Sequence, residues 1–298
     1  MDPVVWASDP WGRSVPIHIA QYLITLALVA GLAFAAVHAI YVRYWAKPKE
    51  FAPGPDPEGA ASSVPEKVPR HSLAARSFHW IMAAAMLVLL VTGFVPRSGL
   101  RFPWVTYHWI AGTVLTASIL FHIVHASLWL DFRSIWPDRV DLADGVRRVR
   151  RSLGRAAPAP RKAGKYPLEN KLYHLALIAA GLPVVGTGGV MMFRVRTLFF
   201  PRNPYILGDE TWGVIYVLHG LAGVGLISLT LVHIYFGLRP EKRPITKSMI
   251  LGWMSRDFYL EEHDTRRWVV DGASASARPR GSIGKGDGEG DSGALRHH

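Results

Sequence analysis

The sequence predicts an all-α integral membrane protein. Two observations lead there. Half of the 298 residues are hydrophobic, and they gather in long, almost uncharged runs, each able to cover the ~30 Å of bilayer hydrocarbon as a helix of ~20 residues. The formal charge of +12 falls between and after those runs, where an excess of Lys and Arg marks cytoplasmic loops. That placement argues against a nucleic-acid surface as the reason for the charge. The chain contains no cysteine. Disulfides, cysteine-ligated iron–sulfur clusters and thioether-attached haem are thereby excluded, and any iron–sulfur relay belongs to a partner.

The elements follow in order. Residues 1–16 are short, slightly acidic and contain Trp and Pro. Only one Arg precedes the first apolar run, so the basic region of a signal peptide is missing. Ile17 to Val42 is the first span. APGPDPEGAASSVPEKVP follows as a linker without helical or strand period. A second segment starts near Ser72 and spans Phe78 to Phe94. The third runs from Tyr107 to Leu130, and a basic connection from Asp131 to Lys165 follows it. The fourth, Asn170 to Phe193, carries Pro183 and a GTGG run expected to loosen or kink it. The fifth is Trp212 to Leu238. The residues after Val270 are low-complexity and expected to be disordered. Three regions result: 1–69, a membrane helix and linker; 70–270, the core; and 271–298, the tail.

Loop charge sets the expected orientation. Loop 43–76 holds six Lys or Arg and loop 131–169 holds ten, against two in 95–106 and three in 194–211. The N-terminus is therefore expected outside and the C-terminus inside, in a bacterial inner membrane.

The fifth span carries His219 and His233, 14 positions apart. At 3.6 residues per turn they share one face, about 21 Å apart along the axis. The third span repeats the interval with His108 and His122. His79 lies near the inner end of the second. Ionisable groups inside a membrane mark function, and neutral imidazole is a good iron ligand. A lone membrane histidine also serves as an interhelical hydrogen-bond partner, but two matched pairs point to two stacked b-type haems. His108 and His219 share the outer level. His79, His122 and His233 compete for two axial positions at the inner level. Gly112, Gly220, Gly223 and Gly225 let either a flat group or another helix come close. His18, His38, His71 and His263 lie at ends or outside the spans, and His125 lines the inner surface.

RSFHWIMAAAMLVLLVTGF, YHWIAGTVL and VLHGLAGVGLISLTLVHIYFGL resemble the di-haem cytochrome b561/nickel–iron hydrogenase-type membrane subunits, and most of all the gamma subunit of respiratory formate dehydrogenase. The resemblance covers about Arg70 to Arg267. It implies a four-helix haem-binding bundle, to which the first span is an extra N-terminal helix. It implies His79 with His233 for the inner haem and His108 with His219 for the outer. His122 is surplus, and His122 with His233, the cytochrome b/b6 arrangement, is the alternative. KYPLENKLYH resembles the family's quinone stretch, roughly Tyr-Asn-x-Gly-Gln-Lys, at Tyr166 and Lys171, while Pro167, Glu169 and Asn170 depart from it. Asn170, Lys171 and His174 are the candidate hydrogen-bond donors to a quinone. Arg76, one turn before His79, suits a haem propionate or a membrane anchor.

The implied role is an electron-transfer subunit. It passes electrons between an iron–sulfur partner, attached to a molybdenum enzyme or a hydrogenase, and ubiquinone or menaquinone. The chain itself makes no bond changes except at quinone. A histidine-relay transporter and a passive membrane anchor are the alternatives. The first fits poorly with spans almost free of carboxylates, and the second leaves the histidines without a role.

Overall fold

The structure, a computed structural model, describes residues 2–46, 50–52, 64–130 and 132–270. Most of the Pro/Gly-rich linker and the whole tail from 271 lie outside the described residues. Two short strands, β1 (Val4–Ser8) and β2 (Ser14–Ile19), open the chain as an antiparallel hairpin. Then come α1 (Tyr22–Tyr44), β3 (Lys67–Pro69), α2 (Leu73–Phe94), α3 (Trp104–Trp129), α4 (Arg139–Ser152), α5 (Leu168–Met191), α6 (Asp209–Leu238), α7 (Arg243–Leu251), β4 (Trp253–Ser255) and α8 (Arg256–Glu262). α1, α2, α3, α5 and α6 are long and apolar enough to cross a membrane. Little of their apolar surface is buried inside the protein, as expected of helices whose solvent is lipid.

The first span begins later than its hydropathy suggests. Ile17 to Ile19, read as the head of the span, lie instead in β2, the strand paired with β1. Asp9 closes the hairpin: its Oδ1 accepts from the backbone of Trp11 at 2.9 Å and Arg13 at 2.8 Å, and its Oδ2 meets Arg13 Nε at 2.8 Å. Gly12, at φ +80°, takes the left-handed turn position that suits glycine. The helix therefore starts at Tyr22. α5 runs unbroken past Pro183, and one turn on Thr187 Oγ1 donates to Pro183 O.

α2 packs along α3, α5 along α6, and α1 along the other side of α6. Small residues make the last contact close. A Cβ on Gly31 would fall 2.9 Å from Leu231 Cδ1, and one on Gly220 would fall 3.0 Å from Ile19 Cγ1. Ser228 Oγ donates across to Ala27 O at 3.1 Å. Ile19, Ile24, Ala27 and Ile227 form the core of this seam.

The two ends differ. The hairpin lies against the start of α6 at one end. The other, the basic end, carries α4, α7, α8 and the β3–β4 pair, in which Lys67 faces Ser255 and Pro69 faces Trp253. Its small core is Val64, Val68, Met254 and Tyr259. α4, within what the sequence shows as a basic connection, is nucleated by a capping box between Asp138 and Asp141. Asp141 is then clamped by Lys171 Nζ at 2.6 Å and Arg267 Nη2 at 2.8 Å. Burial would raise its pKa, but those hydrogen bonds outweigh it and hold the carboxyl below the ordinary range.

Candidate haem-binding site

Near the hairpin end α3 and α6 bring His108 and His219 together. Their ring centroids are 6.1 Å apart and their planes meet at 67°. Each ring is held by a threonine from the adjacent helix. Thr92 Oγ1 of α2 lies 2.8 Å from His108 Nδ1, and Thr187 Oγ1 of α5 lies 2.9 Å from His219 Nδ1. Each threonine donates its own proton one turn back, Thr92 to Val88 O at 2.6 Å and Thr187 to Pro183 O. The oxygen therefore accepts from Nδ1–H. Both tautomers are fixed, and each Nε2 keeps its lone pair for a metal. A glycine follows each threonine against the same ring. A Cβ on Gly93 would fall 3.4 Å from His108 Cε1, and one on Gly188 would fall 3.2 Å from His219 Cε1.

Toward the basic end His79 of α2 and His233 of α6 have centroids 6.2 Å apart, at 53°. Tyr173 of α5 stacks on His233 at 5.1 Å and 18°, its hydroxyl donating to Leu229 O at 3.2 Å. Trp80 packs edge-on to His79 at 5.3 Å and donates Nε1–H to Met249 O at 3.0 Å. α7 thus steadies the helix turn that carries His79.

These spacings fit one metal per pair. A ring nitrogen lies roughly 1 Å from the imidazole centre and binds a metal at about 2 Å, so trans imidazoles have centroids about 6 Å apart. Either interplanar angle is compatible with this, since each nitrogen lone pair lies in the plane of its own ring. The donors are neutral imidazoles on apolar helices, the set that suits b-type haem iron. No group of three or more His, Asp or Glu able to hold a metal ion occurs among the described residues, so the pairs are the candidate centres.

The other sequence-derived residues lie as follows. His122 faces His174 of α5, at 6.4 Å and 77°, and Phe78 lies 4.5 Å from it. Its Nδ1 is buried and has no hydrogen-bond partner among the described residues. His125 is buried and stacked between Phe121 and Trp129. Lys171 does not offer its ammonium to the bundle: Nζ is spent on Asp141 and on Trp136 O at 3.1 Å. Asn170 is half-buried at the start of α5. Arg76 donates to Ile250 O. His38 sits well inside α1, where its Nδ1 accepts from Tyr235 Oη at 2.9 Å and Arg239 Nη1 at 3.2 Å.

The glycines serve differently from their sequence neighbourhood. Gly220 faces Ile19, Gly223 faces Phe94, and Gly225 and Gly112 face Ala180 and Leu89; they serve packing between elements. The glycines against histidine are Gly93 and Gly188, with Thr92 and Thr187 beside them. Sequence reasoning passed over these four, although the Thr-Gly pair in VTGF and GTGG repeats near the same end of two helices.

Residues 70–252 match the family model described as prokaryotic cytochrome b561. The match takes in His79, His108, His122, His219 and His233, and leaves out the hairpin and α1. No curated protein matches the chain.

Proposed function

We propose that this chain, which belongs to the prokaryotic cytochrome b561 family and so is a multi-pass b-type haem protein of membrane electron transfer, holds two haems. One lies between His108 and His219, the other between His79 and His233. The observation that carries this reading is the pair of matched spacings, 6.1 and 6.2 Å, each with one member on α6. Haem supplies a one-electron carrier at each level. The chain's own contribution is to fix the tautomers of His108 and His219 through Thr92 and Thr187 and to set one member of each pair at its own depth on α6.

The partner is an iron–sulfur subunit of a molybdenum enzyme or hydrogenase, at the hairpin end. Support for a role like that of the formate dehydrogenase gamma subunit comes from the quoted motifs. Quinone is taken at the basic end, where His174 and Asn170 lie one turn apart on α5 and present donors for its carbonyls. Lys171 is not counted among them, because its ammonium is engaged by Asp141.

The test is a reduced-minus-oxidised spectrum of the purified chain with haem quantified. Two b-type haems per chain are expected. None would return the histidines to a relay or packing role, and one would leave a pair without a cofactor.

The basic end is expected to face the cytoplasm. Ser8 stands exposed in β1, and a cysteine there is the sole thiol in the protein. An impermeant reagent should label Ser8→Cys in intact cells from outside. Labelling only after permeabilisation would reverse the orientation and exchange the sides of the two haems.

A further inference from the structure

Arg70 lies between β3 and α2 and is only 4% exposed. Its guanidinium meets neutral atoms alone. Nε donates to His71 Nε2 at 3.2 Å, Nη2 donates to Lys165 O at 3.2 Å, and Nη1 lies 3.3 Å from His263 Nε2. Trp268 and Tyr166 present ring faces 5.5 and 5.9 Å from Cζ. No carboxylate pairs with it among the described residues. His71 is neutral, since burial, then Arg70 and Lys165, push its pKa down to about 3.

Arg76 adds a second cation. It stands on α2 one turn before His79, on the same face. Nη1 donates to Ile250 O, while Nε is buried with no partner among the described residues. Gly252, at φ +89°, makes room for it: an added Cβ would fall 3.3 Å from Arg76 Cζ. The same Cβ would fall 3.0 Å from His71 O, and the His71 ring accepts from Arg70 Nε at 3.2 Å, so both guanidiniums border His71 at the start of the helix that carries His79.

Buried charges are normally paired, because burial strips them of water. Two guanidiniums with no carboxylate partner among the described residues, one of them a turn from His79, suit an anion of two charges. We infer that Arg70 and Arg76 bind the two propionate carboxylates of the haem held by His79 and His233. The inference rests on reading that pair as a haem site. A guanidinium fork matches a carboxylate in shape and charge. Haem is thereby held with its propionates toward the basic end, and the two positive charges favour its reduced form.

The experiment uses the full-length chain loaded with haem whose propionates carry ¹³C. Haem content of the unsubstituted protein is measured first; its absence would overturn this inference together with the two-haem reading. Arg76→Gln should then lower the midpoint potential of one haem only, by about 59 mV, a tenfold shift in its reduced-to-oxidised ratio. The labelled carboxylate bands in the redox-difference infrared spectrum should move with it, and Arg76→Lys should restore most of the potential. Arg70→Gln should act in the same direction, and Arg76→Gln decides the matter if the buried substitution does not fold. Unchanged potentials and unchanged propionate bands in Arg76→Gln would overturn the inference. Loss of co-purifying phospholipid from the variants, with propionate bands unmoved, would overturn it in favour of a lipid phosphate.

Discussion

His219→Ala is expected to halve the haem content of the purified chain. It removes one of two axial ligands at the hairpin end. The other described histidine near that end, His18, is exposed on β2 with its Nδ1 2.8 Å from Ile19 O, and the remaining pairs sit toward the basic end. Half of the reduced-minus-oxidised signal should go, and His233→Ala should remove the other half. Full haem in both variants would sink the assignment of α6 as the shared ligand helix. Thr187→Val makes a finer probe. It keeps the ligand but frees the tautomer that the hydroxyl fixes, and such outer hydrogen bonds are typically worth about 10–100-fold in metal affinity. Haem at that site should become extractable while the other site holds.

The second large effect separates His79 from His122. His79→Ala should abolish the haem at the basic end and leave the one at the hairpin end. His122→Ala should keep both and shift the potential of the basic-end haem alone, because a neighbouring group tunes without ligating. The structure adds a reason: His79 faces His233 at 6.2 Å, whereas His122 faces His174 at 6.4 Å. The latter spacing also admits a metal. Loss of haem from His122→Ala and from His174→Ala, with retention in His79→Ala, would move the site to α3 and α5. Loss from His122→Ala and His233→Ala would mean the cytochrome b/b6 arrangement. Haem counted per chain across the four variants distinguishes these outcomes.

Much of the bundle was legible because lipid imposes a simple rule. A span must be long, apolar and internally hydrogen-bonded, so α2, α3, α5 and α6 appear within a few residues of their hydrophobic runs. The 14-residue interval between His219 and His233 was legible for a similar reason, since helix periodicity converts sequence distance into depth. What was not legible depends on partners distant in sequence. Ile17 to Ile19 head the apolar run of the first span, and only their place in β2, paired with β1, removes them from the helix. Lys171 resembles a quinone-site lysine until Asp141, 30 positions earlier, is folded against it. Thr92 and Thr187 are unremarkable in their own helices and gain meaning only from the histidines opposite. Arg70 reads as one more positive-inside charge until residues of the C-terminal segment bury it.

The seam between α1 and α6 bears on how the protein is made. Ser228 and Ala27, joined across it, are 201 residues apart. α1 is inserted first, yet its packing surface does not exist until α6 has entered the bilayer. Until then Gly31, Ala27 and Ile24 face lipid, which a helix tolerates because its own backbone is satisfied. The first span therefore has no α6 surface to pack on until that helix has entered the bilayer. The hairpin before it then settles onto the start of α6, Pro16 against Gly213 and Ile19 against Gly220. The helix it meets is the one that carries both His219 and His233. The order of synthesis thus lets this contact close only once the helices that carry His79, His108, His219 and His233 have all been made.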